Sequence, residues 1–227
     1  KFDRDPKELL FNFNSRILLY FCVDLYEAWM TTHLQGEKTY FLPFNQGSNG
    51  AGNIGDGGNP ANPDGYSTSY LWERVLQRDM LLSLLQRYIS RQETTEISLQ
   101  KGKQVKKTSV KLISPRYYQL YVVVKLDTTT KQLTQATSFF TQHSAGSGKS
   151  NSIAWLTYRL ASLHNDKNKE LFQTVFVITD RRVLNRQLQD TICGFDHKIG
   201  QIETITDKDN SSKLKDAIND GKRIIIT

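Results

Sequence analysis

A glycine-rich run of small and basic residues carries the clearest chemistry of the sequence. It reads Ser144-Ala145-Gly146-Ser147-Gly148-Lys149-Ser150. Glycines let backbone N–H groups turn inward around an anion, and a helix that begins at the end of such a run points its positive end at the same anion. Lys149 would then contact the β- and γ-phosphates of a nucleotide, and the Ser150 hydroxyl would ligate Mg²⁺. The run therefore predicts a site for ATP with Mg²⁺.

The residues on either side of this run have the character that a phosphate loop requires. We expect a strand over residues 137–142 and a helix over residues 150–162. His143 occupies the position at which the usual motif begins with a small residue, and we expect its bulky side chain to lie away from the phosphates without a catalytic role. The alternative is an ordinary turn, which the agreement of strand, loop and helix disfavours.

A second candidate site follows the next predicted strand. The apolar residues 174–179 predict a strand and residues 181–191 predict a helix, so Thr179, Arg181 and Arg182 lie where open parallel sheets gather ligands. A hydroxyl and two guanidinium groups at a helix start suit a sugar-phosphate backbone. The simpler alternative is a helix cap at Asp180 with exposed arginines.

A third candidate site lies before the glycine-rich run, on a helix predicted over residues 116–126. Gln119 can read the edge of an adenine with a donor and an acceptor together, and Arg116 or a neighbouring tyrosine can stack on the base. By itself, a glutamine on a helix is more often simply solvated. With a further strand over residues 223–227, helices and strands alternate from residue 115 onward, which predicts an α/β fold with a parallel sheet.

The first part of the chain has a different pattern. Short apolar runs between residues 6 and 44 predict a small sheet, with a helix possible over residues 6–16. Residues 45–67 hold 7 of the 14 glycines and predict a mobile loop. Apolar residues spaced by three and four over residues 70–89 predict one amphipathic helix of about five turns. The basic stretch within residues 96–114 is interpreted as a linker, with phosphate contact as the alternative.

Composition sets broader limits. A net charge of +7 would favour a polyanionic partner, although many solvated surfaces carry as much. The two cysteines, Cys22 and Cys193, predict neither a disulfide framework nor a zinc site and fit a reducing, cytoplasmic compartment. The longest apolar runs are too short to span a membrane.

Taken together, these segments resemble the front half of a superfamily 2 helicase motor, with an adenine-reading glutamine motif, a phosphate loop and a nucleic-acid-contacting motif Ia. More narrowly, residues 115–119, 142–156 and 179–184 resemble the restriction (R) subunit of type I restriction-modification enzymes, in which the His143 departure is typical. Residues 3–10, 40–45 and 68–72 resemble the same family, in the part that follows its endonuclease active site.

The resemblance implies a subunit that joins a nuclease to two RecA-like motor lobes, pumps double-stranded DNA with ATP and works with methylation and specificity subunits. Residues 1–95 would be the C-terminal part of the nuclease-type domain, residues 96–114 the linker and residues 115–227 part of the first RecA-like lobe. We expect the metal-binding nuclease residues to precede Lys1 and the Asp-Glu-x-His box to follow Thr227. On this interpretation the chain neither hydrolyses ATP nor cuts DNA by itself.

Two alternatives fit the generic motifs. The chain could hold the first lobe of another superfamily 2 helicase, acting on RNA or in repair, with an unrelated N-terminal segment. It could instead be a phosphate-loop module that acts on a small molecule, with the positive charge incidental. Nuclease residues upstream would distinguish the first alternative, and helicase motifs downstream would exclude the second.

Overall fold

The computed structural model describes residues 7–100, 103–180, 182–195, 200–206 and 208–227, of which residues 94–100, 103–107 and 182–185 are described by their backbone alone. The chain divides into two compact units, Lys1–Tyr121 and Val122–Thr227. Helix α2 (Tyr117–Lys131) belongs to both.

The small sheet predicted for the first unit is confirmed. Strands β1 (Tyr20–Val23), β2 (Ala28–Thr31) and β3 (Leu42–Pro43) form an antiparallel sheet in that order. The possible helix before it is limited to a single 3₁₀ turn, Leu9–Phe11. Phe44 is buried and packs edge-on against the rings of Phe21 and Tyr117.

The loop over residues 45–67 has no regular secondary structure, in agreement with the predicted loop, and it is held by polar contacts. Asn59 accepts from the Gln46 N–H at 2.8 Å and donates to the Tyr26 carbonyl at 2.8 Å. Backbone bonds also join Gly47 to Gly58 and Ser48 to Asp56. Asparagine amides here supply the hydrogen bonds that a regular ladder would otherwise provide.

The prediction of one helix over residues 70–89 is wrong in its continuity. The segment consists of a π-helical turn (Leu71–Val75), helix α1 (Arg78–Ser83) and a second π-helical turn (Leu84–Tyr88). The break lies at Gln77, whose extended backbone (φ −61°, ψ 145°) interrupts the helical hydrogen bonds. The apolar spacing nevertheless predicts burial correctly, because the structure buries Leu71, Val75, Leu84 and Tyr88.

The prediction of a basic linker over residues 96–114 is corrected by the structure. Strands β4 (Ser90–Gln100) and β5 (Lys103–Ile113) pair in antiparallel register along their whole length. Threonine, valine and isoleucine in this segment favour extended backbone. The lysines and glutamates between them interrupt the apolar pattern and so hide the strands in the sequence. The assignment of residues 1–95 to a nuclease-type domain stays a prediction.

The second unit has the predicted α/β fold. Strands β6 (Val175–Val177), β8 (Ile224–Ile226) and β7 (Ile202–Thr204) form a parallel sheet in that order. Helix α3 (Lys149–Ala161) precedes β6 in the chain. Helix α4 (Arg182–Gly194) connects β6 to β7, and helix α5 (Ser211–Asn219) connects β7 to β8. The mixed α/β layering with a parallel sheet is consistent with a partial RecA-like lobe.

The strand predicted over residues 137–142 is not formed. This segment has no ladder with any described strand, and Phe140 is 92% exposed. A strand is defined by the neighbour that takes its hydrogen bonds, so an apolar, extended segment without one is a loop. Separately, no helix in the described residues is long and apolar enough to cross a membrane.

Candidate functional site

The glycine-rich run forms a turn that leads directly into α3. Gly148 caps the helix with φ 77° and ψ 36°, and Gly146 has φ 71°. Both values lie in the left-handed region that side chains with a Cβ rarely adopt. A Cβ on Gly146 would meet no atom within 4 Å, so the outer side of the turn is open. The backbone conformation of the turn therefore requires glycine at both positions.

Lys149 reaches back over this turn. Its Nζ donates to the backbone carbonyl of His143 at 2.7 Å and to that of Ser144 at 3.1 Å. The lysine is the first residue of α3, so its charge and the N–H groups of the helix start lie at one end of the loop. The arrangement concentrates positive potential there, as an anion such as a phosphate requires.

His143 lies at the other end of the turn and is half-buried. Burial lowers the pKa of its imidazole below the usual value, and the positive charge of Lys149 lowers it further. Its backbone carbonyl, rather than its ring, contacts the lysine. Because this pKa is lowered, the imidazole adds no second cation to the site at neutral pH.

Helix α3 is fixed in place by aromatic packing against α4. Trp155 is 1% exposed, and its ring meets Phe195 edge-on at 5.6 Å between centroids. One turn further, the Tyr158 hydroxyl donates to the Ile192 carbonyl at 2.8 Å. Burial raises the pKa of this phenol, so it stays a donor. The helix that presents Lys149 is thus anchored along one face.

An ion pair that the sequence analysis missed holds α3 against α2. Arg159 Nη2 lies 2.6 Å from the Asp127 carboxylate, and the two side chains are 11% and 10% exposed. The signal was present in the sequence: Asp127 follows Leu120 and Val123 at helical spacing on the buried stripe of α2. A carboxylate on an otherwise apolar stripe indicates a buried cationic partner.

A second contact that the sequence analysis did not predict lies at the C-terminal end of α3. Arg223, just before β8, donates to the carbonyl of Ala161, the last residue of the helix. The same guanidinium donates to the Gln173 carbonyl at 3.1 Å and pairs with Glu170 at 2.7 Å. A cation at a helix C-terminus satisfies carbonyls that have no partner within the helix. Arg223 therefore joins α3 to the parallel sheet.

The residues predicted to form motif Ia are described only in part. Thr179 follows β6, and its N–H donates to the Thr227 carbonyl at 2.9 Å, so it lies at the carboxyl edge of the sheet as predicted. Its hydroxyl oxygen is buried and has no hydrogen-bond partner in the described residues. Arg181 and the Arg182 side chain lie outside the described residues. The DNA-binding role of all three stays a prediction.

Gln119 and Arg116 lie at the start of α2, in the first unit. Gln119 is 3% exposed, and its side-chain carbonyl accepts from the Arg116 N–H at 2.9 Å. The side chain therefore caps the first turn of its own helix. Arg116 donates weakly to the Tyr118 hydroxyl at 3.4 Å. The adenine-reading role stays a prediction, and it requires the Gln119 carbonyl to exchange this partner for the base.

The region that carries the loop has a recognisable family pattern. Residues 118–227 match the SWI2/SNF2 ATPase family. The match begins beside Gln119 and includes the glycine-rich turn, α3 and the parallel sheet. It covers a little under half of the chain. This SWI2/SNF2-like region indicates a superfamily 2 helicase-like ATPase, with ATP binding and hydrolase chemistry. Comparison with curated proteins and with solved structures gives no match.

Proposed function

We propose that this chain is part of an ATP-dependent double-stranded DNA translocase, and within that class of the R subunit of a type I restriction-modification enzyme. The observation that carries the motor part is the left-handed turn at Gly146 and Gly148 with Lys149 drawn across it, inside a region similar to SWI2/SNF2 ATPases. The restriction part is supported by the sequence resemblance described above.

The residues of the turn fit a nucleotide with its Mg²⁺. Lys149 is placed to exchange its two carbonyl partners, those of His143 and Ser144, for phosphate oxygens. Ser150 has the hydroxyl that would ligate Mg²⁺, which in such sites is held by few protein ligands and by phosphates. Bound Mg²⁺ would neutralise developing charge on the phosphates during transfer.

Hydrolysis needs groups beyond this turn. Orienting a water molecule and stabilising the transferred phosphoryl group call for a carboxylate and a cation aimed at the γ-phosphate. The sequence resemblance places these groups in the Asp-Glu-x-His box and later motifs of the motor family, which are expected to follow Thr227. We propose that this chain binds and orients ATP, and that Thr179, Arg181 and Arg182 contact the DNA backbone.

The competing functions are another superfamily 2 helicase and a small-molecule phosphate-loop protein. Sequencing the gene on both sides of this segment separates them. An upstream Asp with Glu-x-Lys and a downstream Asp-Glu-x-His would support the restriction motor, whereas the downstream box alone would leave a general helicase. Absence of both would exclude the motor.

A biochemical test uses the protein encoded by the complete gene. We expect ATP hydrolysis that double-stranded DNA stimulates, that RNA does not, and that Lys149→Ala abolishes. Stimulation by RNA alone would assign the chain to another helicase. Hydrolysis that Lys149→Ala leaves unchanged would exclude the proposed site.

A further inference from the structure

Three exposed aromatic side chains of the first unit have no assigned role. Tyr26, Tyr66 and Trp72, which we call the aromatic patch, are between 43% and 70% exposed. The Tyr66 and Trp72 rings meet edge-on, with 6.2 Å between their centroids. Tyrosine and tryptophan grouped on a surface are typical of a protein interface, where they supply a large contact area at little cost in conformational entropy. The aromatic patch is therefore a candidate contact surface.

Hydrogen bonds between distant segments bring the aromatic patch together. The hydroxyl of Thr68, a buried residue, donates to the Asp24 carbonyl at 2.8 Å, so the segment after Tyr66 lies against the turn that follows β1. The Asn59 side-chain amide donates to the carbonyl of Tyr26 in the same turn at 2.8 Å. Both bonds use backbone oxygens and leave the aromatic rings at the surface. The patch is therefore already formed in this chain, which lowers the ordering cost of binding.

Carboxylates accompany the aromatic patch. Within two residues of its members in the chain lie Asp24, Glu27, Asp64 and Glu73. Asp24 accepts from the N–H groups of Glu27 and Tyr26 at 2.7 and 2.8 Å, and these bonds lower the pKa of its carboxyl. Among the ion pairs of the described residues, none includes any of the four carboxylates. Their charges are therefore not neutralised by a lysine or arginine of the described residues.

The distribution of charge indicates what this surface attracts. Residues 17–73 contain six carboxylates and a single lysine, Lys38, whereas the whole chain has a net charge of +7. This part of a basic chain is therefore acidic, so it repels the phosphates of a nucleic acid and attracts cations. Guanidinium groups suit it best, because they stack on aromatic faces and donate to carboxylates in a fixed planar geometry.

We propose that the aromatic patch and its four carboxylates bind an arginine-rich extended segment of a partner protein. In such a segment, every second side chain points to the same side, with about 7 Å between neighbours. This repeat is close to the 6.2 Å between the Tyr66 and Trp72 rings, so successive arginines can stack on successive rings. The carboxylates then accept the outer donors of the guanidinium groups. ATP and DNA are not required, because the patch lies outside the glycine-rich turn and the predicted motif Ia.

The test measures the fluorescence anisotropy of a short labelled peptide, in which arginine alternates with glycine, as the whole chain is added at low salt. We expect saturable binding. Tyr66→Leu/Trp72→Leu keeps apolar bulk but removes both ring faces, and should lower the affinity about fivefold to thirtyfold. Asp64→Asn/Glu73→Gln should lower it about threefold to tenfold, with a difference that shrinks as salt is raised. The same peptide with citrulline in place of arginine lacks the charge and should bind at least about tenfold more weakly.

Matched controls change exposed groups of the second unit. Phe140→Leu removes an exposed ring, and Asp166→Asn/Asp220→Asn removes two exposed carboxylates. Both should leave the affinity for the peptide within about twofold of that of the unsubstituted chain. Urea denaturation should give similar midpoints for all of these proteins, because every substitution is at an exposed side chain. Equal losses of affinity in the patch and control variants, or no loss in either, would overturn the proposal.

Two further measurements distinguish other occupants of the aromatic patch. Sedimentation of the unsubstituted chain tests a second copy, and we expect a monomer or self-association that Asp64→Asn/Glu73→Gln leaves unchanged. Self-association that this variant abolishes would assign the patch to a second copy and overturn the proposal. Anisotropy of a labelled DNA duplex tests nucleic acid. Tyr66→Leu/Trp72→Leu should bind the duplex as the unsubstituted chain does, and a loss of duplex affinity in this variant would overturn the proposal.

Discussion

Arg159 and Asp127 form an ion pair of 2.6 Å that ties the helix carrying Lys149 to the helix before it. Both side chains are nearly buried, so each charge depends on the other for solvation. The pair is not part of the turn, but it fixes the position of α3 against α2. Because the turn leads directly into α3, the pair also fixes the position of the turn.

Removing one partner of this pair should be costly. We expect Asp127→Asn to lower the free energy of unfolding by about 3 kcal/mol, because Arg159 is left in a poorly solvated position. Urea denaturation measures the change. Lys131→Ala is the control, since Lys131 approaches the same carboxylate only at 4.0 Å and is 44% exposed, so its loss should cost less than about 0.5 kcal/mol. Equal effects of the two substitutions would contradict a buried pair.

The contact of Arg223 with the end of α3 gives a second stability prediction. Arg223→Lys keeps the charge but cannot reproduce the forked donors to Ala161 and Gln173, so we expect a loss of about 1 to 2 kcal/mol in the free energy of unfolding. Glu170→Gln should cost less than about 1 kcal/mol because Glu170 is half exposed. A larger effect at Glu170 than at Arg223 would show that the ion pair, rather than the carbonyl contacts, dominates.

The turn itself is tested by adding a Cβ. Gly148→Ala forces alanine into φ 77°, which we expect to cost about 1 to 2 kcal/mol and to lower affinity for an ATP analogue at least tenfold. Gly57→Ala is the matched control: Gly57 lies outside the left-handed region, and a Cβ there would meet nothing within 4 Å. Unchanged nucleotide affinity in Gly148→Ala would argue against this turn as the binding site.

The lowered pKa of His143 predicts how stability depends on pH. The folded state disfavours the imidazolium, so the pKa of His143 is lower in the folded chain than in the unfolded chain, where it is about 6.5. As the pH falls through this range, the unfolded chain therefore binds the proton first. Stability should therefore decrease toward acid pH, and the penalty is complete below the folded pKa. Burial lowers the pKa of His33 in the first unit as well, so the useful quantity is the difference between the unsubstituted chain and His143→Gln.

That difference is measured by urea denaturation between pH 7.5 and 5, a range set by the usual imidazole pKa. We expect His143→Gln to lose less stability over this range than the unsubstituted chain. Identical profiles would show that the ring does not contribute.

The elements that follow the glycine-rich turn were predictable because several signals agree there, whereas the strand predicted just before it, over residues 137–142, is not formed. Apolar spacing, left-handed glycines and a short buried strand give α3, β6, α4 and β8 with their bounds nearly correct. Strand β7 and helix α5 were missed. Ile202–Thr204 is too short to show alternation, and the apolar residues of α5 are only Leu214, Ala217 and Ile218.

Other features depend on partners that sequence spacing does not identify. The apolar spacing of residues 70–89 is continuous, but the backbone extends at Gln77. The basic composition of the β4–β5 hairpin predicts a linker because its lysines interrupt the alternation of apolar residues that indicates a strand. In the site, the residues of the turn were named from sequence, whereas Arg159 and Arg223 act through contacts with residues 32 and 62 positions away, which no local motif encodes.

The most direct test of the account is the contribution of Lys149 to nucleotide binding. A fluorescent ATP analogue with Mg²⁺ is titrated into the chain, into Lys149→Ala and into Lys167→Ala, which removes an exposed lysine outside the turn. We predict saturable binding to the chain and to Lys167→Ala, with affinity at least about tenfold lower in Lys149→Ala because charge-assisted phosphate contacts are lost. Equal affinity in all three proteins would contradict a phosphate-binding turn at residues 144–150.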